Sequence, residues 1–563
     1  MDIFQPKPHD IITSKRFSFF LLLFISIPVA VILFSINPKS SFDVFKVFSQ
    51  ARETAKSDQN VTTICSQFDN LRRVGGGLKN GSLKSLRNES FSRDDMDNRD
   101  EVLGGLLTLG FDEASCISRV HSHLYRKVSP HRPSPYLISK LRNYEQIHAS
   151  CGPNTRTYHR NMRKIQLSKD NNATATTCNY LIWTPVNGLG NQIISIAATF
   201  LYAILTDRVL LLKFGKDKLA LFCEPFLNST WILPHNSPFW KEIYIQTYQI
   251  EKDNASNSKS VLFINLQHSH SDSSHKEKFH CDHLQNLIRK TPLLILRSDQ
   301  YFVPSLFMNP LFNLEINKMF PEKDTVFHHL GRYLFHPSNE AWELITNYYQ
   351  AHLAKADELI GLQIRVFNAV STPQQAIMDL VLSCTLNHKI LPKVDLQTST
   401  SSVGKNGSVK AVLVASLYEE YGDSLRRMYQ KKPKGSGESI EVYQPSHERK
   451  QIFNDGKHNL KAWMEMYLLS LSDVLVTTSL STFGYVAQGL GNLKPWLLYR
   501  IVRNETHFPA CEQDFSMEPC YHDPPKHYCE GKPLKDFASS FPSLKECKDF
   551  SFGVKLVDDR TKL

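Results

Sequence analysis

The sequence predicts an α/β protein with two Rossmann-like domains facing a cleft, preceded by a single transmembrane helix and a flexible stem. Three observations predict it. Short apolar runs alternate with helical stretches from about Tyr180 onward, the pattern of parallel sheets wound with helices. A length of 563 residues exceeds one ordinary core and leaves room for two. Phe17 to Ile36 is a nearly unbroken apolar run, followed by a polar, charge-rich tract.

About 20 apolar residues cross a bilayer core, and no small-x-small cleavage site follows this run, so 17–36 reads as a signal anchor. Residues 1–16 are then a cytosolic tail. Residues 37–100, with Gly75-Gly76-Gly77 and Ser/Asn/Asp/Arg tracts, form the stem. Asn-x-Ser/Thr sequons run from Asn60 to Asn504, and all 11 cysteines also follow the span. No Cys-x-x-Cys spacing points to zinc, so disulfides in an oxidising lumen are expected. Cys65, in the stem, is the odd thiol. A short span after a short tail describes a single-pass type II protein of the Golgi membrane. The net charge of +11 is spread along the chain without a basic block carrying aromatics, which excludes nucleic acid and suits anionic small molecules.

Residues 101–353 are expected to form the first domain. Tyr180–Pro185 is a strand, Asn187-Gly-Leu-Gly-Asn191 a tight turn, about Gln192–Leu205 a buried helix, and Val209–Leu212 a second strand. This is not a dinucleotide fingerprint, because Ile193 stands where a third glycine belongs and Lys213 ends the second strand. Leu293–Leu296 is another strand, running into Asp299. Residues 354–563 form the second domain. Its strands are Ile360–Phe367, Ala411–Ser416, Ile440–Tyr443, Val474–Thr478 and Trp496–Tyr499, its helices Thr372–Cys384, Glu419–Gln430 and Leu460–Ser472. A cysteine-rich tail follows Pro509.

Doubly wound sheets bind ligands beyond the carboxyl ends of their strands. Asn187–Asn191, Arg365, Ser416 and Ser479–Gly484 all fall there. The hydroxyl-rich start of the helix at Ser481-Thr482-Phe483-Gly484 is either a plain N-cap or a phosphate seat built from free N–H groups and the helix dipole. Arg365 either grips a pyrophosphate bidentately or pairs with a structural carboxylate. Gly188, Gly190 and Asn191 allow close backbone approach to a phosphate or sugar. Asp299 is either a proton acceptor or a turn cap. Asp95-Met96-Asp97 in the stem reads as solvated charge. Histidines 268, 270, 275, 280 and 283 with Cys281 read as surface residues rather than a metal cluster.

Longer runs carry a resemblance. Leu103-Gly-Gly-Leu-Leu107, Gly110-Phe-Asp-Glu-Ala-Ser-Cys116, Tyr136-Leu-Ile-Ser-Lys-Leu-Arg-Asn-Tyr144, Leu221-Phe-Cys-Glu-Pro-Phe226, Tyr301-Phe-Val-Pro-Ser305, Phe327-His-His-Leu-Gly-Arg-Tyr-Leu-Phe-His-Pro337 and Ser481-Thr-Phe-Gly-Tyr-Val-Ala-Gln-Gly489 resemble the plant cell-wall α-1,2-fucosyltransferases of the xyloglucan group. The resemblance implies a GT-B-like fold, a GDP-fucose donor, and metal-independent inverting transfer to a galactose 2-hydroxyl on a cell-wall polysaccharide or arabinogalactan glycan. It matches Arg365 to the pyrophosphate arginine, Ser481, Thr482, Phe483 and Gly484 to the donor turn, Ser416, Leu417 and Tyr421 to the motif beside the nucleotide, and Asp299 to the acid near the acceptor. It departs from the family at Gln192, where an arginine is usual, at Leu480 in place of a tryptophan, and at Gln300 in place of an asparagine. Other readings are a non-catalytic glycan- or nucleotide-binding paralogue and a protein O-fucosyltransferase. A homodimer, or a complex with other wall-synthesis transferases, is an expected partner arrangement.

Overall fold

Leucine- and valine-rich runs form a first sheet of β1 (Asn179–Thr184), β2 (Arg208–Leu212), β3 (Val261–Asn265) and β4 (Leu293–Arg297), all parallel, in the order β2-β1-β4-β3. Both β2 and β3 are buried along their whole length, as strands covered on both faces must be. A computed structural model describes residues 103–168, 175–241, 260–268, 274–367, 372–394, 408–430, 439–499, 501, 509–534 and 536–558. These belong to one compact unit, Phe91–Leu563. The apolar run at 17–36, the stem with Asp95-Met96-Asp97, Cys65 and His270 lie outside the described residues. No helix among the described residues is long and apolar enough to cross a membrane.

Three helices of this half support the site: α1 (Pro135–Cys151), α2 (Leu189–Leu205) and α3 (Val326–Leu334). The second sheet comprises β5 (Glu358–Gln363), β6 (Val409–Ala415), β7 (Ser439–Tyr443), β8 (Val474–Thr478), β9 (Trp496–Leu498) and β10 (Cys511–Gln513), in the order β10-β9-β8-β5-β6-β7. Only β10 is antiparallel. Its helices include α4 (Gln374–Asn387), α5 (Glu420–Tyr429), α6 (Gly456–Leu469) and α7 (Thr482–Gly491). α2 is apolar almost all round because it has no free face: it packs on β2, on α3, and on α6 and α7 of the other half. A helix buried on every side has no use for a polar stripe.

Each sheet has a point where the strand order reverses, between β1 and β4 and between β5 and β8. Crevices open at such points. The boundaries differ from expectation in two places that bear on the site. α2 begins at Leu189 rather than near Gln192, because Gly188 takes an extended N-cap conformation and its carbonyl accepts from Gln192 N at 3.2 Å. β5 ends at Gln363 rather than Phe367. Ile364 N still bonds Ala415 O, but Arg365 N turns to Thr478 Oγ1 at 3.0 Å and the ladder stops.

Five disulfides pair the ten cysteines of the described part: Cys116–Cys223, Cys151–Cys178, Cys281–Cys529, Cys384–Cys511 and Cys520–Cys547. Of the histidines expected at the surface, His268 and His283 are exposed, but His280 is buried between two helices, Ser274–Phe279 and Asp282–Arg289. Cys281 is committed to Cys529, and His275 Nδ1 accepts from Asn265 N. The tail ends in a hairpin of β11 (Leu544–Cys547) and β12 (Phe550–Leu556). It also reaches back to the first half: Glu518 accepts from Phe327 N at 2.7 Å and from the Tyr301 hydroxyl.

Candidate active site

The loops after β1, β5, β6 and β8 meet around one cleft of about 340 Å3, a volume suited to a small-molecule ligand. From β1 it takes Asn187, Gly188, Gly190 and Asn191. From β5 come Gln363, Arg365 and Phe367, from β6 Ser416 and Leu417, and from β8 Ser481, Thr482 and Phe483. Most of the residues expected at the site are thus brought together.

Two helix N-termini face each other here. A Cβ added to Gly190 would lie 2.8 Å from Thr482 Oγ1 and 2.9 Å from Phe483 N, so only glycine lets the starts of α2 and α7 approach this closely. Ser481 holds the N-cap position of α7 but makes no side-chain capping bond, and neither does Gly188 for α2. The N–H groups that a cap side chain would engage are left for another acceptor. The turn before α7 is built by side chains below it. Thr477 Oγ1 donates to Gln363 Oε1 at 2.6 Å, and Gly484 packs so tightly on Thr477 that an added Cβ would lie 1.9 Å from its hydroxyl. Leu480, at φ 64°, takes the left-handed conformation, and its N–H is held by Asp549 Oδ2 at 3.0 Å.

Arg365 stands beside these two starts. Its Nη2 donates to Gln451 Oε1 at 3.1 Å, and its guanidinium carbon lies 5.9 Å from the Phe367 ring. Burial pushes its pKa below the usual range, and the Tyr418 phenol is the group that acts against this. The expected alternative, a structural carboxylate pair, is not what surrounds it among the described residues. A half-buried cation beside two helix N-termini, with a neutral carboxamide for its partner, is a seat for a polyanion.

Four expected residues stand outside the cleft wall. Gln192 is buried, with Nε2 donating to Asn187 O at 2.7 Å and Oε1 unpartnered. It shapes the turn from behind. Tyr421 lies in the core of the second sheet, and Gly484 faces β8. Asp299 is buried behind Asn187, whose amide donates to its Oδ2 at 2.5 Å. Its Oδ1 accepts from His268 N at 2.9 Å and from Gln300 Nε2 at 3.0 Å.

Sequence reasoning missed the far end of the cleft, formed by the loop after β7 and by α6. Ser446 Oγ donates to Glu465 Oε1 at 2.6 Å, and both line the cleft with Ala462 and Met466. Burial pushes the Glu465 carboxyl up to about 8. A signal existed: Glu465 is the one charge in Trp463-Met-Glu-Met-Tyr-Leu-Leu469, and a buried acid with a displaced pKa marks functional sites. Because β6 and β7 lie on the outer side of β5, this end extends away from the two helix starts.

The comparisons agree with one another. Residues 79–530 match the profile of the xyloglucan fucosyltransferase family. A galactoside 2-alpha-L-fucosyltransferase of Arabidopsis thaliana is 48% identical over 82% of this chain and 84% of its own length. One of the same name from Pisum sativum is 44% identical over 84% of this chain and 85% of its own. Among solved structures, a mutant of Arabidopsis thaliana FUT1 in complex with GDP superposes with a TM-score of 0.73 at 47% identity, covering 81% of this chain and all of that one. The chain belongs to the xyloglucan fucosyltransferase family.

Proposed function

We propose that this protein is an inverting fucosyltransferase moving L-fucose from GDP-fucose to the 2-hydroxyl of a galactose residue on a cell-wall polysaccharide or arabinogalactan glycan. The observation that carries the reading is the pair of uncapped helix starts with Arg365 beside them in one cleft. Breaking the bond between fucose and the diphosphate leaves negative charge on GDP, and preorganised N–H groups and a guanidinium stabilise that charge where it develops. The GDP complex of a relative at 47% identity supports the donor, and the names of two relatives support the galactoside acceptor.

In this reading Gly188, Gly190, Asn191, Arg365 and Ser481–Phe483 hold the diphosphate. Ser416, Leu417, Ser446 and Glu465 take the nucleoside end, where the Ser446 hydroxyl and the Glu465 carboxyl offer polar groups to the base. The acceptor hydroxyl attacks the anomeric carbon from the face opposite GDP. Asp299, set behind Asn187, takes the proton through a water rather than by direct contact. The positive charge that stabilises the leaving group comes from protein groups, so turnover is expected without a divalent ion. The run at 17–36 anchors the protein in the Golgi membrane with the folded part in the lumen. Five disulfides suit that compartment.

The test uses the full-length chain in detergent with GDP-fucose, EDTA, and a panel of xyloglucan and arabinogalactan acceptors. The expected result is glycan-dependent GDP release that yields an α-1,2-linked fucose. Arg365→Ala is expected to lower kcat/KM by about 100-fold or more. Turnover that appears only when a divalent ion is restored would overturn the metal-independent part. Folded protein that neither binds GDP nor turns over would overturn the donor assignment.

A further inference from the structure

The loop between β7 and α6 crosses the cleft, and one side chain in it spans the diphosphate seat. Gln451 Oε1 accepts from Arg365 Nη2 at 3.1 Å. Its Nε2 lies against the start of α2, where a Cβ added to Gly188 would come within 2.6 Å of it. A single carboxamide thus touches both the guanidinium and the glycine turn, and all three groups line the same cleft. The acceptor offered to Arg365 is neutral. It satisfies one N–H of a desolvated cation without cancelling its charge, so a diphosphate oxygen forms a stronger bond at the same place.

The loop is built to move this residue. Arg449 at φ 64° and Asn454 at φ 58° bracket Gln451 with left-handed backbone. Between them Ile452 and Phe453 are 38% and 62% exposed, so no core packing fixes the tip. Arg449 is tied from outside by Glu419 at 2.7 Å and Glu420 at 3.2 Å. The other end runs into Asp455, which caps α6 by accepting from His458 N at 2.7 Å, so the tip between two held ends is the part free of core packing. Phe453 and Phe367 both line the cleft, and both are exposed.

Resting on the donor reading above, we infer that Gln451 is a specificity latch. It occupies the diphosphate's place on Arg365 and Gly188 until donor arrives, and it yields only to a ligand with enough negative charge to displace it. It lowers donor affinity by the fraction of time that it fills the seat and discriminates against weakly charged ligands.

The experiment is calorimetric titration of GDP into full-length wild type, Gln451→Ala and Gln451→Glu, with thermal melts to confirm that each is folded. The alanine variant removes the competitor and is expected to bind GDP about 3- to 10-fold more tightly than wild type. The glutamate variant supplies an ion pair to Arg365. It is expected to bind at least about 10-fold more weakly from about pH 7.5 down to pH 5, because the guanidinium keeps the new carboxyl ionised across that range. Weaker or unchanged GDP binding by Gln451→Ala, with wild type binding normally, would overturn the latch and leave the donor reading standing. Failure of wild type itself to bind GDP would instead remove the donor reading, and the latch with it.

Discussion

Glu465 gives the site a pH signature that a single residue can test. Burial lifts its carboxyl to about 8 in the folded protein, whereas an unfolded glutamate loses its proton near 4.3. Between those values the folded state keeps a proton that the unfolded chain has released. Stability therefore falls as pH rises through this window, by about 1.4 kcal/mol per pH unit for one such group. Glu518, also pushed up to about 8 by burial, acts in the same direction. Six buried histidines held neutral by burial, among them His148, His329 and His522, act in the opposite direction below about pH 6.5. The melting temperature is therefore expected to drop from about pH 7 to pH 8, where they no longer contribute, and Glu465→Gln to remove about half of that slope while keeping the Ser446 bond. A wild-type melting temperature that is flat across this range would show that both groups stay ionised. At this scale the sequence was legible where chemistry is concentrated, at Arg365 and the Ser481 turn. It was silent on Gln451, an ordinary polar residue made important only by the two groups that it touches.

The helix starts are the elements on which the site depends, and their closeness is the property to perturb. In Gly190→Ala the new methyl would meet the Phe483 nitrogen and the Thr482 carbonyl carbon at 2.9 Å, and backbone cannot swing aside as a long side chain can. The expected result is a stability loss of about 1–3 kcal/mol. GDP affinity should fall more than that loss of stability accounts for, because the two N-termini are pushed apart. Melting and GDP titration on the same sample separate the two effects; unchanged GDP affinity would mean that the α2 start is not part of the seat. The Leu480 turn offers a second lever. A left-handed leucine is held by one Asp549 oxygen, which also accepts from the Tyr485 hydroxyl at 2.5 Å. Asp549→Ala is expected to raise the KM for donor about 5- to 20-fold by releasing a strained turn, and Asp549→Asn to recover most of that. Equal KM values in the alanine variant and wild type would refute the coupling. Most strands were readable to within two residues because period and apolar content fix them. The misplaced ends, at Gln363 and Leu189, lie where the Thr478 hydroxyl and the Gly188 carbonyl decide which backbone bond forms, and no local pattern records that competition. The strand at 261–265 was missed because the polar residues around it hide its period.

At the scale of the whole molecule, the tail is what a linear reading could not place. Ten cysteines admit far too many pairings for spacing to choose among them. The pairing found joins Cys281 to Cys529, 248 residues apart. The tail is not held by this bond alone. Leu544, Val554, Leu556 and Tyr521 share a buried cluster with α1, α2 and α3, Lys276 pairs with Asp523, and Lys526 N donates to Glu277 at 3.0 Å. Removing the crosslink with paired Cys281→Ser and Cys529→Ser changes therefore tests how the work is divided between bond and packing. Closing a loop of this size is worth about 5.5 kcal/mol in the chain-entropy picture, less once the other disulfides have shortened it. The expected cost is about 2–4 kcal/mol, read as a lower melting temperature, with GDP affinity within about twofold of wild type at low temperature because no cleft residue is touched. A variant that melts with wild type would mean that packing and ion pairs hold the tail unaided.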